Sequence, residues 1–478
     1  MANIKKNFLF QTVYQMMSMI LPLVTSPILA RTLGAEGLGI YSYVFTIVGY
    51  FVLAANLGMY KYGIRSIAAV RDNKEELSKT FWEIWKLHTV VTFFVGIIYI
   101  LCLLNFFEYK TYFAVMLMTY VGSVININWL FFGLEEFKKV TIRDMIIKLI
   151  TFVMIVFFIR SKESLFLYFV INAVGTLISN LIYWFMYKKY VYRKSIHFSD
   201  SIKHLKGMLL LFIPVLLESL YYGIDKIMLG IMKTKSEVGY YENADKALIA
   251  RTMIYSITTV LMPRMANLLA KKDYNEFNRI MKQATAITII LASAFAFGTA
   301  SVAREFAIVF WGKDFVKSVN LIIIMAMAMP AVVLAREVRE QYLIPAGKDK
   351  EYIFSATAGT IANIVVNTIL IPEFGAMGAA IATLLSEYIV LIVQLIAVRK
   401  ELNMLSYIHG NEIYFLFGMI MFIVVRYVGD ILGIHIYSLI IEVIVGMIIY
   451  VMLCSVYWIL SKQYDYFDLI KSVIRRQW

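Results

Sequence analysis

The sequence is poor in charged residues and nearly free of cysteine. Charged residues make up 16% of its 478 positions and hydrophobic residues 61%, whereas about a quarter of the residues in soluble proteins are charged. The cysteines, Cys102 and Cys454, each stand alone in an apolar run. The five histidines, which form no cluster with metal-ligand spacing and are expected at span ends or in loops, are His88, His197, His204, His409 and His435. The composition excludes a soluble enzyme and a secreted disulfide scaffold, and it predicts neither a metal site nor a cofactor.

Two larger features are also missing from the sequence. There is no Walker motif, which excludes ATP as the direct energy source. The net charge of +14 comes from short connections between apolar runs, so it indicates no nucleic-acid partner. A membrane enzyme such as a glycan polymerase or an acyltransferase needs a sizeable loop or a clustered acid and base. The short outer connections argue against this alternative.

Apolar runs of about 20 residues dominate the chain, and this length crosses a hydrocarbon core of roughly 30 Å. The runs are 8–30, 39–60, 87–107, 112–132, 145–159, 165–187, 209–232, 244–269, 284–310, 319–344, 352–371, 376–398, 412–429 and 436–460. They predict an all-α polytopic membrane protein with about 14 transmembrane helices, because a lipid-exposed backbone must satisfy its hydrogen bonds within each segment. The first run is longer than a signal-peptide core and is expected to remain as a span.

Lysine and arginine are concentrated on the side of the membrane that holds the amino terminus. The longest basic connections, 61–86 and 188–206, lie on that side. By the positive-inside rule, both termini are predicted to be cytoplasmic. The tail, 462–478, has an apolar and a basic face, which predicts an amphipathic helix on the anionic inner leaflet; a frayed basic end is the alternative.

The two halves of the sequence contain a weak internal echo. Gly39 and Tyr41 correspond to Gly239 and Tyr241, in each case at an outer turn that opens an even-numbered span. A third echo lies at 375–380. Such echoes favour two parallel six-helix repeats, as in many transporters.

The repeat divides the chain into three parts. We predict an N-terminal six-helix lobe at 1–207, a C-terminal six-helix lobe at 208–400, and two appended helices with the cytoplasmic tail at 401–478. Pro22 and Pro214 fall in the corresponding first helices of the two lobes, where proline can kink a helix and supply a hinge.

Segments along nearly the whole chain carry a resemblance to one transporter family. They are LGAEGLGIY (33–41), NLG (56–58), YGIR (62–65), IDKIMLG (224–230), VLMPR (260–264), PAGK (345–348), IPEFGA (371–376) and GAAIAT (378–383). Together they resemble the polysaccharide transport branch of the multidrug, oligosaccharidyl-lipid and polysaccharide exporter superfamily, the oligosaccharide flippases. Asn56 departs from the family pattern, since relatives often have Asp there; a coupling ion bound by that acid would lose its ligand in this chain.

The resemblance implies a fold, a cargo and a location. The fold would be two lobes facing each other across a central cavity. The cargo would be an oligosaccharide on polyprenyl diphosphate, flipped across the bacterial cytoplasmic membrane by alternating access for capsule, O-antigen or another envelope glycan. This needs no covalent chemistry, so the protein is not expected to be an enzyme. H⁺ or Na⁺ is the expected coupling ion, and a polysaccharide polymerase and glycosyltransferases are candidate partners.

Cations inside or beside the spans are the candidate ligands of the diphosphate. A charge at a span centre costs about 2.5 to 3.5 kcal/mol on insertion scales, so it usually faces a cavity or a partner. Guanidinium groups match phosphate oxygens in particular. The candidates are Lys61, Arg65, Arg251, Arg336 and Arg339. The alternatives are a structural ion pair between Arg251 and an acid on span seven or ten, a solvated helix end at 336 and 339, and orientation-setting charge at 61 and 65.

A second set of charged residues suits gating or ion pairing. The Asp-Lys pairs at 225–226 and 245–246 lie near outer span ends, which suggests an extracellular gate of salt bridges; surface pairing without a role is the alternative. The whole set is Glu218, Asp225, Lys226, Asp245, Lys246, Glu337 and Glu340.

A cation-coupled drug exporter of the same superfamily is the rival function. It would favour a more acidic cavity, and the three span arginines argue against it.

Overall fold

The computed structural model describes residues 2–461, except the side chains of 2–16, 19, 222, 256 and 257. The predicted amphipathic tail at 462–478 therefore lies outside the described residues. Every regular element between 2 and 461 is helical. The chain divides into two compact units, Met1–Gly239 and Tyr240–Trp478.

The first unit is built from long helices joined by short connections. Its helices are α1 (Ala2–Asn56), α2 (Met59–Val70), α3 (Lys74–Asn105), α4 (Lys110–Val124), α5 (Asn128–Gly133), α6 (Phe137–Phe158), α7 (Leu165–Met186), α8 (Phe198–Ile202), α9 (Leu205–Met232) and the start of α10 (Lys235–Ala247).

The second unit follows the same plan. Its helices after α10 are α11 (Arg251–Lys271), α12 (Tyr274–Ser301), α13 (Ala303–Phe306), α14 (Lys317–Val338), α15 (Asp349–Phe374), α16 (Ala376–Val398), α17 (Met404–Ile408), α18 (Ile413–Leu432) and α19 (Ile436–Leu460).

Eleven segments of the described chain are long and apolar enough to cross a membrane. One of them, Ile20–Val70, contains the second expected span and about half of the first. The other expected spans without a counterpart among the eleven lie in α6, which carries Arg143, Asp144 and Lys148, and in α11, which is rich in hydroxyl side chains. The all-α polytopic membrane fold is therefore confirmed.

The first two expected spans form one helix that is interrupted at a single residue. Gly34 within α1 has φ 70° and ψ −179°, which are not helical values. A positive φ is readily adopted by glycine because it lacks a Cβ atom. The outer connection expected at 31–38 is thus reduced to a sharp kink at one glycine.

The eighth expected span, 244–269, is interrupted near its start. α10 ends at Ala247, a 3₁₀ turn occupies Leu248–Ala250, and α11 begins at Arg251. The tighter 3₁₀ winding changes the angular spacing of side chains along the helix. Asp245 and Arg251, six positions apart, consequently lie close enough to pair.

The echoed glycines of the two sequence halves meet at one helix crossing. A Cβ atom on Gly39 would lie 1.6 Å from the Lys235 carbonyl oxygen and 2.9 Å from the Gly239 nitrogen. A Cβ atom on Gly239 would lie 1.9 Å from the Ala35 carbonyl oxygen. Two backbones approach this closely only where both lack a side chain, as in small-residue packing between membrane helices.

The two units fill their interiors with different residue types. The first packs buried aromatic rings, including Phe81 stacked on Trp129 with centroids 5.3 Å apart. In the second, α12, α14 and α16 present buried alanines such as Ala296, Ala326 and Ala379 to their neighbours. Small residues let membrane helices pack closely without a hydrophobic driving force.

The compact units and the predicted lobes assign α9 to different halves of the chain. α9 packs against α1 and α2 and therefore belongs to the first unit. The predicted boundary between 207 and 208 rests on the sequence echo instead of on packing, and it stays a prediction.

Candidate functional site

The first unit contains an open cavity of about 510 Å³ between membrane helices, called the polar cavity here because many of its lining side chains are polar. Its walls come from α1, the connection between α4 and α5, α6, and α7. Hydroxyl and amide side chains dominate the polar lining, including Thr25, Asn126, Asn128, Asn172, Thr176 and Asn180. In apolar surroundings, so many hydrogen-bonding groups favour water or a polar ligand over lipid.

Arg143 on α6 is the most constrained charge in this cavity. Its side chain is 9% exposed, and its Nη1 donates to the Ser179 carbonyl oxygen at 2.7 Å. Its other terminal nitrogen pairs with Asp144, and its guanidinium lies 3.6 Å from the Tyr183 ring centroid. The buried Nε has no hydrogen-bond partner in the described part of the chain. Arg143 is thus held rigidly and keeps one donor available.

Lys148 adds a second cation to the same wall. Its Nζ donates to the Ser18 hydroxyl of α1 at 2.8 Å. Among the described lining residues Asp144 is the one acid, so their charges sum to a net positive value. Such a cavity suits a ligand with hydroxyl groups and an anionic group.

The sequence pattern did not indicate these residues, because the fifth expected span began at 145 and the candidate charges within spans lay in the second half of the chain. The available signal was the triplet Arg143, Asp144 and Lys148 inside an apolar stretch, with Asn172 and Asn180 on the following span. Pattern alone could not show that these two helices share a cavity with α1.

Lys61 and Arg65 lie one turn apart on α2 with exposed side chains. Arg65 stands over the Tyr62 ring, 5.6 Å from its centroid. They are therefore accessible cations on a firmly held helix, beside the network described next.

A buried hydrogen-bond network fixes α2 to α3 and α9. The Tyr62 hydroxyl lies 2.7 Å from His204 Nδ1, and His204 Nε2 lies 3.0 Å from Glu83 Oε2. Lys203 approaches the same carboxylate oxygen at 2.8 Å. His204 and His88 were expected at span ends or in loops, and both are covered by protein; His88 is fully buried. Both lie near segment ends in the sequence, but helix packing covers them.

The three candidates on α9 have different surroundings. Glu218 is exposed, Asp225 is 3% exposed and Lys226 is half-buried. Tyr50 of α1 donates to the Ser219 carbonyl oxygen at 2.8 Å, which holds this part of α9 against α1. The predicted gate between these residues and the pair at 245–246 stays a prediction.

In the second unit, the candidates around the interrupted helix form local pairs. Arg251 Nη2 lies 2.8 Å from Asp245 Oδ1, and both side chains are partly exposed. Lys246 lies 3.2 Å from Glu242. Arg251 is thus paired with an acid of the same expected span, whereas a structural pair was expected to involve span seven or ten.

Arg336 and Arg339 converge on Glu340. Their Nη2 atoms lie 2.6 Å and 3.8 Å from Glu340 Oε1. The other oxygen of Glu340 accepts hydrogen bonds from Thr258 at 2.8 Å and Thr259 at 3.1 Å. One carboxylate therefore positions two arginines that are still 23% and 21% exposed.

Aromatic rings complete this arginine cluster. Arg336 lies 4.2 Å from the Tyr255 ring centroid, and Arg339 lies 5.5 Å from that of Tyr352. Glu337 does not join the cluster: it is fully buried and accepts a hydrogen bond from Thr285 at 2.8 Å. The two arginines are consequently the cations of this unit that are best arranged to hold an anion with more than one oxygen.

The connection after the arginine cluster is also tied down by charge. Glu401 accepts hydrogen bonds from Lys348 and Tyr342, which hold the pKa of this carboxyl below its usual range. The carboxylate form of Glu401 is thereby favoured near neutral pH. This contact joins the segment before α15 to the segment after α16.

Comparison with known proteins identifies the family. Residues 4–269, more than half of the chain, match the polysaccharide biosynthesis protein family. The chain belongs to this family. Within it, the Escherichia coli (strain K12) protein named "Putative O-antigen transporter" is 23% identical over 407 residues, which cover 84% of this chain and 97% of that protein. The Staphylococcus aureus "Capsular polysaccharide biosynthesis protein CapF" is 21% identical over 397 residues, covering 81% and 97%.

A solved structure shares the fold. The inward closed conformation of the lipid II flippase MurJ aligns with a TM-score of 0.73 at 17% identity, covering 94% of this chain and 99% of that one. At this identity the likeness concerns the fold. The membership expected from the sequence segments is confirmed, and the relatives are named for O-antigen transport and capsular polysaccharide biosynthesis.

Proposed function

We propose that this protein is a flippase that moves polyprenyl-diphosphate-linked oligosaccharide repeat units from the inner to the outer leaflet of the bacterial cytoplasmic membrane. The repeat units would be used to build an envelope polysaccharide. Two similar proteins are named as an O-antigen transporter and a capsular polysaccharide biosynthesis protein, and a flippase shares the fold. The protein would act by binding and moving its cargo without making or breaking covalent bonds.

The observation that carries this proposal is the polar cavity of the first unit. A glycan presents many hydroxyl groups, each of which needs a hydrogen-bond partner once it leaves water. The amide and hydroxyl side chains of the cavity supply such partners, and Arg143 and Lys148 supply positive charge. The rival, a cation-coupled drug exporter, would instead favour a more acidic cavity, and Asp144 is the one acidic residue among the described lining residues.

The diphosphate would be held by cations arranged in stages. Lys61 and Arg65, which are exposed on α2, would receive it at the inner leaflet. Arg251, Arg336 and Arg339 would bind it in the second lobe, with Tyr255 and Tyr352 limiting the motion of the guanidinium groups. Arginine suits this task because its fork of donors matches phosphate oxygens.

Transport would follow alternating access between two lobes, 1–207 and 208–400, with 401–478 appended. The acids and lysines at 218, 225, 226, 245 and 246 would close the outer side by changing partners. Pro22 and Pro214, at equivalent places in the two lobes, would allow the first helix of each to bend.

Deletion of the gene tests the function directly. With the upstream glycosyltransferases still active, we expect one polyprenyl-diphosphate-linked repeat unit to accumulate on the inner leaflet and the surface glycan to disappear. Mass spectrometry of extracted lipids, combined with access of an impermeant glycan-modifying enzyme to each leaflet, measures both effects. Unchanged lipid intermediates together with raised sensitivity to cationic drugs would favour the exporter and contradict the flippase.

Single cysteines test the orientation. Thr234 and Ser195 are exposed in connections predicted to lie outside and inside the cell, respectively. In a background with Cys102 and Cys454 replaced by alanine, Thr234→Cys should react with an impermeant thiol reagent in intact cells. Ser195→Cys should react only after the cells are permeabilised. The opposite pattern would reverse the topology and the direction assigned to each loop.

A further inference from the structure

The second unit buries two carboxyl groups that the proposed transport path does not use. Glu305 lies on α13 and Glu442 on α19, and both side chains are 0% exposed. α13 packs against α19, and α18 also packs against α19. Buried acids in membrane helices are costly and usually serve a purpose.

One arginine accounts for the charge of Glu305. Arg426 on α18 donates from Nη1 to Glu305 Oε2 at 2.7 Å and to the Ser301 carbonyl oxygen at 3.2 Å. Its Nη2 donates to Asp430 at 2.9 Å. The guanidinium is therefore shared between Glu305 and an acid that is largely exposed.

Glu442 has no comparable donor. Both of its carboxyl oxygens are buried and accept no hydrogen bond from a donor group of the described residues, and the same holds for Glu305 Oε1. The two carboxyl groups are neighbours, since a Cβ atom on Gly429 would lie 2.6 Å from Glu442 Oε1 and 3.5 Å from Glu305 Oε1.

A shared proton satisfies the hydrogen bonding and the charge of both carboxyl groups at once. Two ionised carboxylates are acceptors without donors, so they cannot hydrogen-bond to each other. Their charges would also repel in a poorly solvated site that holds one guanidinium. With one proton between them, the pair carries a single negative charge, which Arg426 neutralises, and Glu442 gains the hydrogen bond that it otherwise lacks.

We propose that Glu305 and Glu442 form a proton-binding site in which one proton is shared between the two carboxyl groups. Sodium fits the site less well, because a metal cation needs several oxygen ligands and the adjoining guanidinium repels it. No group of three or more residues of the metal-binding type lies together in the searched part of the chain.

The charged groups around the carboxyl pair indicate where the proton would be released and what its release would do. The other charged groups near the pair are Arg304 on α13 and Asp430 on α18, which are 49% and 61% exposed and pair with each other at 3.3 Å. The end of α12, 297–301, adds no ionisable group. Release of the proton toward this exposed pair would leave two carboxylates that repel each other and push α19 away from α13. If the protein is the proposed flippase, the proton is then its coupling ion.

Infrared spectroscopy on the purified full-length protein in lipid nanodiscs tests this site without measuring transport. At neutral pH, the wild-type spectrum minus that of Glu442→Gln should contain the C=O band of one protonated carboxyl group, and the band should shift in heavy water. Asp430→Asn is the matched control and should keep the band. Should Glu442→Gln fail to fold, Gly429→Ala should remove the band by displacing the Glu442 carboxyl.

The possible results distinguish failure of the proton site from failure of the proposed flippase function. A difference spectrum without the band would overturn the proton site. Loss of the band when sodium is added at fixed pH would also overturn it. As the pH is raised, the thermal unfolding midpoint should fall more in the wild type than in Glu442→Gln, because only the wild type loses the shared proton. An equal fall of the midpoint with pH in both proteins would contradict the proposal. Failure of the flippase proposal would appear in the deletion experiment and would leave these spectra unchanged.

Discussion

Replacing Thr176 with tryptophan should reduce glycan export to the level of the gene deletion. Thr176 lies on α7 in the wall of the polar cavity, near Asn172 and Asn180. An indole at this position fills space that the glycan needs and removes a hydroxyl, but leaves both cavity cations in place. We expect export to fall at least about ten-fold, a loss of about 1.4 kcal/mol of stabilisation. Surface glycan and lipid-linked intermediates, measured in the complemented deletion strain, report the effect.

The matched control is the same substitution two residues along the helix. Ile178 is 44% exposed on the apolar surface of α7, so Ile178→Trp should face lipid and preserve export. Both variants should reach the membrane in similar amounts, as measured by immunoblotting. Normal export by Thr176→Trp would show that the cavity does not hold the cargo. Equal loss in both variants would indicate that α7 tolerates no large side chain, and the effect could not be assigned to the cavity.

Replacing Arg251 with alanine should also abolish export while the protein still reaches the membrane. If Arg251 binds the diphosphate, the loss of charge-assisted hydrogen bonds to phosphate oxygens should cost at least about 1.4 kcal/mol, or ten-fold in transport. Arg251 is paired with Asp245 at 2.8 Å, so loss of a structural ion pair must be distinguished from loss of a ligand. Arg251→Lys, which keeps the charge but loses the fork, should retain part of the activity.

The double variant Arg251→Ala/Asp245→Ala distinguishes a ligand from a structural ion pair. A purely structural role predicts recovery in the double variant, since no charge is left without its partner. A ligand role predicts continued loss that exceeds the loss in Asp245→Ala alone. Lys271→Ala serves as the control, because this exposed lysine lies on the same helix, α11, and has no part in the proposed sites. Recovery of export in the double variant would remove Arg251 from the set of diphosphate ligands.

The sequence was sufficient to predict the fold class and the family. Apolar runs of membrane-spanning length require helices, whatever surrounds them, because lipid offers no hydrogen-bond partners to an exposed backbone. The segments around 33–41 and 371–376 carried the family resemblance, which the match over 4–269 confirmed. The Arg336–Glu340 pair could also be predicted, since residues four apart on a helix lie on the same face.

Features that depend on several helices were missed. The spacing of Asp245 and Arg251 does not favour a pair on a regular helix, and the 3₁₀ turn at Leu248–Ala250 creates it. His204 lies near the start of a segment, yet its contacts with Tyr62 and Glu83 bury it.

Thus the sequence by itself determined that this chain is a helical membrane protein of a polysaccharide biosynthesis family, because hydrophobic length and local motifs are properties of contiguous residues. Tertiary structure decided where its buried polar groups meet: the cavity around Arg143 and the carboxyl pair of Glu305 and Glu442. The members of each group are separated by as much as a hundred residues or more, and only helix packing excludes water and lipid from them together.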